Sequence, residues 1–246
     1  MKIDVLTLFP KMFEGFLSES IIKRALTQNK VEINIHNIRD YTLDPHKKVD
    51  DYGFGGGAGM VLMPQPIFDA VDALKTNDSY VILVTPQGNK YNQKKAYSLT
   101  SKKHIIIVCG HYEGFDERIR SLADEEISIG DYVLTGGELP SMVIIDSVVR
   151  LIDGVIEKES HENDSFSDGL LDYPVYTKPV DFREMKVPDV LLSGHHENIR
   201  KWRYEKQLEK THERRPDLIE KAELTPKERE LAERIMSVEN EWIIWK

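Results

Sequence analysis

One cysteine in 246 residues is too few for a disulfide-stapled secreted domain, and it gives no support to a zinc site. That residue, Cys109, closes the apolar run Ile105-Ile106-Ile107-Val108 and reads as core. No stretch approaches eighteen consecutive apolar residues, so a membrane-spanning helix is not expected. The N-terminus, Met1-Lys2-Ile3-Asp4, has a carboxylate in its first apolar run and no cleavage-site pattern, which points to a cytoplasmic protein. Excess positive charge is lacking too. A net charge of −9 argues, taken whole, against a nucleic-acid partner. The charge is uneven, however: residues 195–215 carry +3 and the remainder −12. Local charge decides whether a phosphate backbone can dock.

The chain is long enough to bury a core without staples and could form one large domain or two modest ones. Apolar periodicity predicts a strand from Ile3 to Phe9, closed by Pro10, a helix within 11–28 and a strand from Val31 to Ile38. Residues 44–59 read as a polar, glycine-rich loop, and Pro66 opens a helix, Ile67 to Leu74. Three buried-type strands follow, Tyr80–Thr85, His104–Cys109 and Glu126–Ile129, separated by helices at about 92–99 and 116–123. A helix over 138–152 ends this part. Such alternation predicts an α/β fold, a mostly parallel sheet with helices on both faces. The acidic stretch 157–173 reads as a linker between a domain at 1–156 and a smaller helical one at 174–246. There, Thr225-Pro226-Lys227-Glu228 is a capping box starting a helix towards Trp245.

The three buried-type strands run into glycine-bearing segments: Thr85–Gly88, Cys109–Gly114 and Gly130–Gly137. Open α/β sheets bind ligands beyond the carboxyl ends of their strands. One such turn is ordinary. Three at one sheet edge predict a pocket built from backbone, with Tyr112 and Tyr132 available to cover an apolar ligand face. The Gly53–Gly59 segment contains a G-x-G-x-x-A match but follows a charged stretch, which leaves a dinucleotide site weakly supported. A surface loop and a substrate-facing role stay equally open for it. His195-His196 reads as a helix start rather than a metal pair, because neighbours on a helix diverge by about 100°.

Seven stretches together resemble one family, the bacterial tRNA (guanine-N1)-methyltransferases of the knotted SPOUT class. They are Leu8–Phe13, Gly55–Val61, Thr85–Gly88, Cys109–Arg118, Ser128–Glu138, Asp164–Pro179 and Leu191–Arg203, in the family's order and over nearly the whole chain. The resemblance implies a trefoil knot late in the first domain, an exception to the rule against threaded chains. It also implies S-adenosylmethionine bound there by Pro86, Gly110, Tyr112, Glu113, Ile129, Gly130, Asp131, Tyr132, Val133, Leu134, Gly136 and Gly137. The implied assembly is a homodimer whose sites are shared between chains. The implied reaction is methylation of N1 of guanosine 37 in tRNA, preceded by another guanosine. Asp164 matches the general base and Arg150 the group that steadies charge on O6. Arg200, Lys201 and Arg203 are then phosphate contacts, with Gly55, Gly57 and Gly59 close to a flipped guanine. Magnesium dependence is a family trait, but no metal ligand is assigned. Two competitors are a SPOUT enzyme acting on a ribose hydroxyl and a non-catalytic RNA-binding protein on the same fold.

Overall fold

The computed structural model describes residues 1–157 and 164–243, which fall into two compact units, 1–157 and 158–246. The first opens with β1 (Lys2–Thr7). Residues 11–28 are not one helix. A single 3-10 turn, Pro10–Phe13, leads into α1 (Glu14–Ser18) and then α2 (Ser20–Thr27). Extended Glu19 and left-handed Ser20 break the helix between them, and the Ser18 hydroxyl donates to the Gly15 carbonyl, competing with helix continuation. β2 (Glu32–Asn37) follows. Within the glycine-rich stretch, β3 (Asp50–Asp51) pairs antiparallel with β4 (Val61–Leu62). Then come α3 (Pro64–Leu74), β5 (Ser79–Lys90), α4 (Gln93–Leu99), β6 (His104–Cys109), β7 (Glu125–Ser128) and α5 (Glu138–Val149). The helix expected over 116–123 is a 3-10 segment, Glu117–Leu122, begun by Asp116 accepting from the Arg118 amide.

The sheet has the order β2-β1-β6-β5-β7, and its four strand pairs are parallel. Alternation along the strands builds two cores. Ile3, Val5, Ile82, Ile105 and Ile107 face α2, α4 and α5, while Leu6, Val81, Leu83, Ile106 and Val108 face α3. Burial on both faces explains why the strands read as unbroken apolar runs. The exception is Asp4, fully buried in β1. Its carboxylate is met by His36 Nε2 at 3.0 Å, His104 Nε2 at 2.7 Å, Lys2 Nζ at 3.0 Å and Asn34 Nδ2 at 3.0 Å. Burial pushes its pKa up, but these hydrogen bonds prevail and hold it at about 2.

β5 does not end where Pro86 and Gly88 predict a turn. Val84 and Asn89 both stand opposite Ile127 of β7, so Thr85–Gly88 arches out of the sheet and the strand resumes. This is an enlarged relative of a β-bulge. Gly88 makes the return possible: a Cβ there would lie 2.5 Å from the Glu126 carbonyl carbon.

The second unit contains the hairpin β8 (Asp181–Phe182) and β9 (Met185–Lys186), then α6 (Asp189–Leu192), α7 (His196–Arg214), α8 (Pro216–Lys221) and α9 (Pro226–Ile243). The capping box at α9 is present: the Thr225 amide donates to Glu228 Oε2 at 2.7 Å, and the Glu228 amide to Thr225 Oγ1 at 3.4 Å. Of the acidic stretch expected as linker, residues 158–163 lie outside the described residues, as does Trp245. Residues 164–172 are tied to α7. Leu170 is buried beside Leu208, the Leu171 amide donates to Thr211 Oγ1 at 3.0 Å, and Lys210 pairs with Asp172 at 3.1 Å.

Candidate active site

The arch after Val84 and the loops that follow β6 and β7 enclose a cavity of about 460 Å³. Pro86, Gly110, Tyr112, Glu113, Ile129, Gly130, Tyr132, Val133, Leu134, Gly136 and Gly137 all line it. Asp131 alone of the expected set does not. Its side chain is exposed and pairs with Lys90 at 3.1 Å. The volume lies in the range of small-molecule sites, and the walls combine Ile, Val, Leu and two half-exposed tyrosines with glycine backbone.

Close backbone contact shapes the cavity. The Gly137 amide donates to the Gly110 carbonyl at 2.8 Å, and a Cβ on Gly137 would sit 2.7 Å from the Cys109 Cα. Two loops from different strand ends therefore touch main chain to main chain. Cys109 is buried beneath them, 3.2 Å from the Ser141 hydroxyl. Burial, and after it the charge of Glu138, pushes its thiol pKa far up, so it is core and not a nucleophile.

Below the cavity lies a group that sequence reasoning passed over. Glu138, the first residue of α5 and almost fully buried, accepts from the Thr7 hydroxyl at 2.5 Å and pairs with His111 Nε2 at 2.7 Å. The available signal was a carboxylate heading a mostly apolar helix, a position that needs partners when buried. Nothing in the sequence says which residues supply them.

Arg150 follows the last residue of α5 and is not among the residues lining the cavity. The helix between it and Glu138 spans about 18 Å at 1.5 Å per residue, so α5 points its start at the cavity and its end away. Asp164 belongs to the second unit, half-buried, where its carbonyl accepts from the Ser167 amide. Gly55 and Gly57 are exposed in the loop before β4. Gly59 lies against the side chain of Glu113, whose amide donates to the neighbouring Met60 carbonyl at 3.0 Å. Arg200, Lys201 and Arg203 are exposed on α7. Lys201 pairs with Glu197 at 3.2 Å, and the Arg203 guanidinium stands 4.9 Å from the Tyr173 ring centre. Among the described residues no group of three or more His, Cys, Asp or Glu could hold a metal ion, and no helix is long and apolar enough to cross a membrane.

Comparison with known proteins follows the same lines. The family model described as "tRNA (Guanine-1)-methyltransferase TrmD" matches residues 1–221. The tRNA (guanine-N(1)-)-methyltransferase of Halalkalibacterium halodurans is 58% identical over 240 residues, covering 96% of this chain and 98% of the relative. That of Staphylococcus aureus strain JH9 is 56% identical over 237 residues, covering 95% and 97%. A Bacillus cereus relative of the same name, from strain AH820, is 57% identical over 240 residues, covering 96% and 98%.

Proposed function

We infer the chemistry from one premise: the chain belongs to the tRNA (guanine-1)-methyltransferase family. It is an enzyme that methylates guanine N1 in tRNA. We propose that the cavity at the ends of β5, β6 and β7 holds S-adenosylmethionine. The observation that carries this reading is the convergence of eleven expected residues on one cavity of suitable volume. Tyr112 and Tyr132 offer ring faces to an apolar or aromatic portion, and the backbone of the glycine loops offers hydrogen bonds to a polar one. The cofactor, when bound, supplies an electrophilic methyl group on a sulfonium.

The residues of the chain do the rest. Guanine N1 carries a proton at neutral pH and must lose it to act as a nucleophile, and Asp164 takes that proton as general base. Arg150 balances the negative charge that then builds on O6. In one copy Arg150 and the cavity stand at opposite ends of α5, which favours a site completed by a second copy. The surface of α5 supports the same conclusion. Leu139 and Val143 are half-exposed on a helix with little polar surface besides Asp146 and Ser147, and Phe9 and Met12, near Thr7 in sequence, are half-exposed too. Such a helix is normally covered on all sides. A homodimer with shared sites is therefore part of the proposal. So is the trefoil knot, supported by the loop after β7 lying against the loop after β6. The second unit is the tRNA-binding part, with Arg200, Lys201 and Arg203 as phosphate contacts, and Gly55, Gly57 and Gly59 of the first unit stand beside the flipped guanine. No step is assigned to magnesium.

The test is methyl transfer to tRNA transcripts followed by nucleoside mass spectrometry. N1-methylguanosine is expected at position 37 when a guanosine precedes it, and not when that preceding guanosine is replaced. A ribose-methylated product would favour the competing SPOUT chemistry. Asp164→Asn should lower kcat by about 10²–10⁴-fold, with donor affinity by calorimetry near wild type. Loss of both together would make Asp164 a structural residue instead.

A further inference from the structure

We propose that Glu138 is a positioning residue for the methyl-donor cavity, acting through His111, and that this buried pair is the joint holding three chain segments in binding shape. The inference rests on reading the cavity as the donor site. Its basis is the number of elements that meet at one carboxylate.

Glu138 is 1% exposed. One of its oxygens accepts from the Thr7 hydroxyl at the end of β1, and the other meets His111 Nε2 in the loop after β6, while its own backbone starts α5. Thr7 in turn accepts the Phe9 amide at 2.9 Å, which leaves its proton free to point at the carboxylate. A buried carboxylate is tolerated only with such donors around it. Here one donor, His111, comes from a loop that lines the cavity, and the other, Thr7, ties the same carboxylate to the end of β1.

The residue next to His111 explains why the joint matters for binding. Tyr112 lines the cavity and adopts φ 60°, the left-handed region that a bulky residue avoids. Such a conformation persists only where its surroundings over-determine it. On one side His111 is held by Glu138. On the other, the Glu113 amide donates to the Met60 carbonyl and the Gly114 amide to the His111 carbonyl. Removing the anchor at His111 lets the segment relax, and Tyr112 then leaves the position in which it walls the cavity. The bridge between His111 and Gly136 passes the same loosening to the loop after β7.

The sole cysteine gives a readout independent of catalysis. Cys109 is buried directly under the joint, with the Gly137 backbone packed on it. Opening of the joint exposes its thiol. In the full chain, Glu138→Gln keeps shape but removes the charge that holds His111. We expect the calorimetric Kd for S-adenosylmethionine to rise about tenfold, the size of effect of one charged hydrogen bond, and by more than kcat at saturating donor falls. Without donor, Cys109 should react with an aromatic disulfide reagent about tenfold faster than in wild type. Thr7→Val removes one donor to the carboxylate and should shift both readings in the same direction by less. It decides the matter should Glu138→Gln fail to fold. Unchanged donor Kd, or a fall in kcat at unchanged Kd, would overturn the proposal. So would equal thiol labelling in wild type and both variants. Should the wild-type chain bind no donor at all, the reading of the cavity falls, while labelling still decides whether Glu138 holds the joint.

Discussion

The two units of the chain bury themselves on different scales. In the first, both faces of a five-stranded parallel sheet are covered, and even the buried carboxylates inside it have partners, four for Asp4 and two for Glu138. The second is gathered around Leu170, Leu208, Ile219, Ala222 and Ala232. Much of its remaining apolar surface is exposed, as at Val175, Phe182 and Met185. The contrast suits the two tasks proposed for them. A cavity for a small molecule needs walls fixed to a fraction of an ångström, which takes a dense scaffold. A surface that meets a large, charged partner needs reach and cations more than rigidity, and a thin core suffices for that.

Five variants would break or sharpen this contrast. Leu208→Ala removes a fully buried side chain from the five-residue cluster and should cost about 3 kcal/mol. Calorimetry should then resolve a low-temperature transition for the second unit, with donor binding by the first unit retained. A single cooperative transition would mean the units do not differ as described. Gly137→Ala forces a methyl group against the Cys109 backbone and should cost about 2 kcal/mol by overpacking, with loss of donor affinity. Gly169→Ala in the second unit, where a Cβ meets nothing closer than 3.9 Å but φ is +88°, should cost only about 1 kcal/mol. Both are read from thermal midpoints.

Acid should act through Asp4. Its folded pKa, about 2, lies below the unfolded value of 3.8, so the stabilisation is complete above pH 4 and disappears as pH falls through 2. Roughly 2 kcal/mol is at stake. Asp4→Asn should flatten the stability profile of the first unit over that interval in urea titrations. The smallest effect is expected at α7. Reversing the charges of Lys201 and Arg203 should weaken tRNA binding and lower the slope of log affinity against log salt by about 0.7–0.9 for each phosphate left without its cation. An unaltered slope would remove these side chains from the interface.

Much of the first unit is legible in the sequence because its strands are short apolar runs between helix-sized segments, a pattern that only a covered parallel sheet satisfies. The cavity lining is legible as well, through the glycines at 110, 130, 136 and 137. What escapes is whatever depends on long-range pairing. No local rule brings His111 to Glu138, or His36 and His104 to Asp4, since those partners meet only once the sheet has formed. The arch at Thr85–Gly88 escapes for the same reason: proline and glycine announce a departure from the strand but not a return to it. Residues 164–172 read as linker because they fall within the acidic stretch 157–173. Yet Leu170 is buried, and its neighbours are bonded to a helix some forty residues further on.

The arch has one more implication. Because its two ends face the same residue, Ile127, residues added or deleted at 85–87 would leave every later pairing in frame. Elsewhere in a strand, a one-residue slip turns each side chain to the opposite face. Descendants of this chain can thus trim or lengthen one wall of the chamber by small insertions and deletions, altering which molecules it admits while the pattern of strand partners is inherited intact.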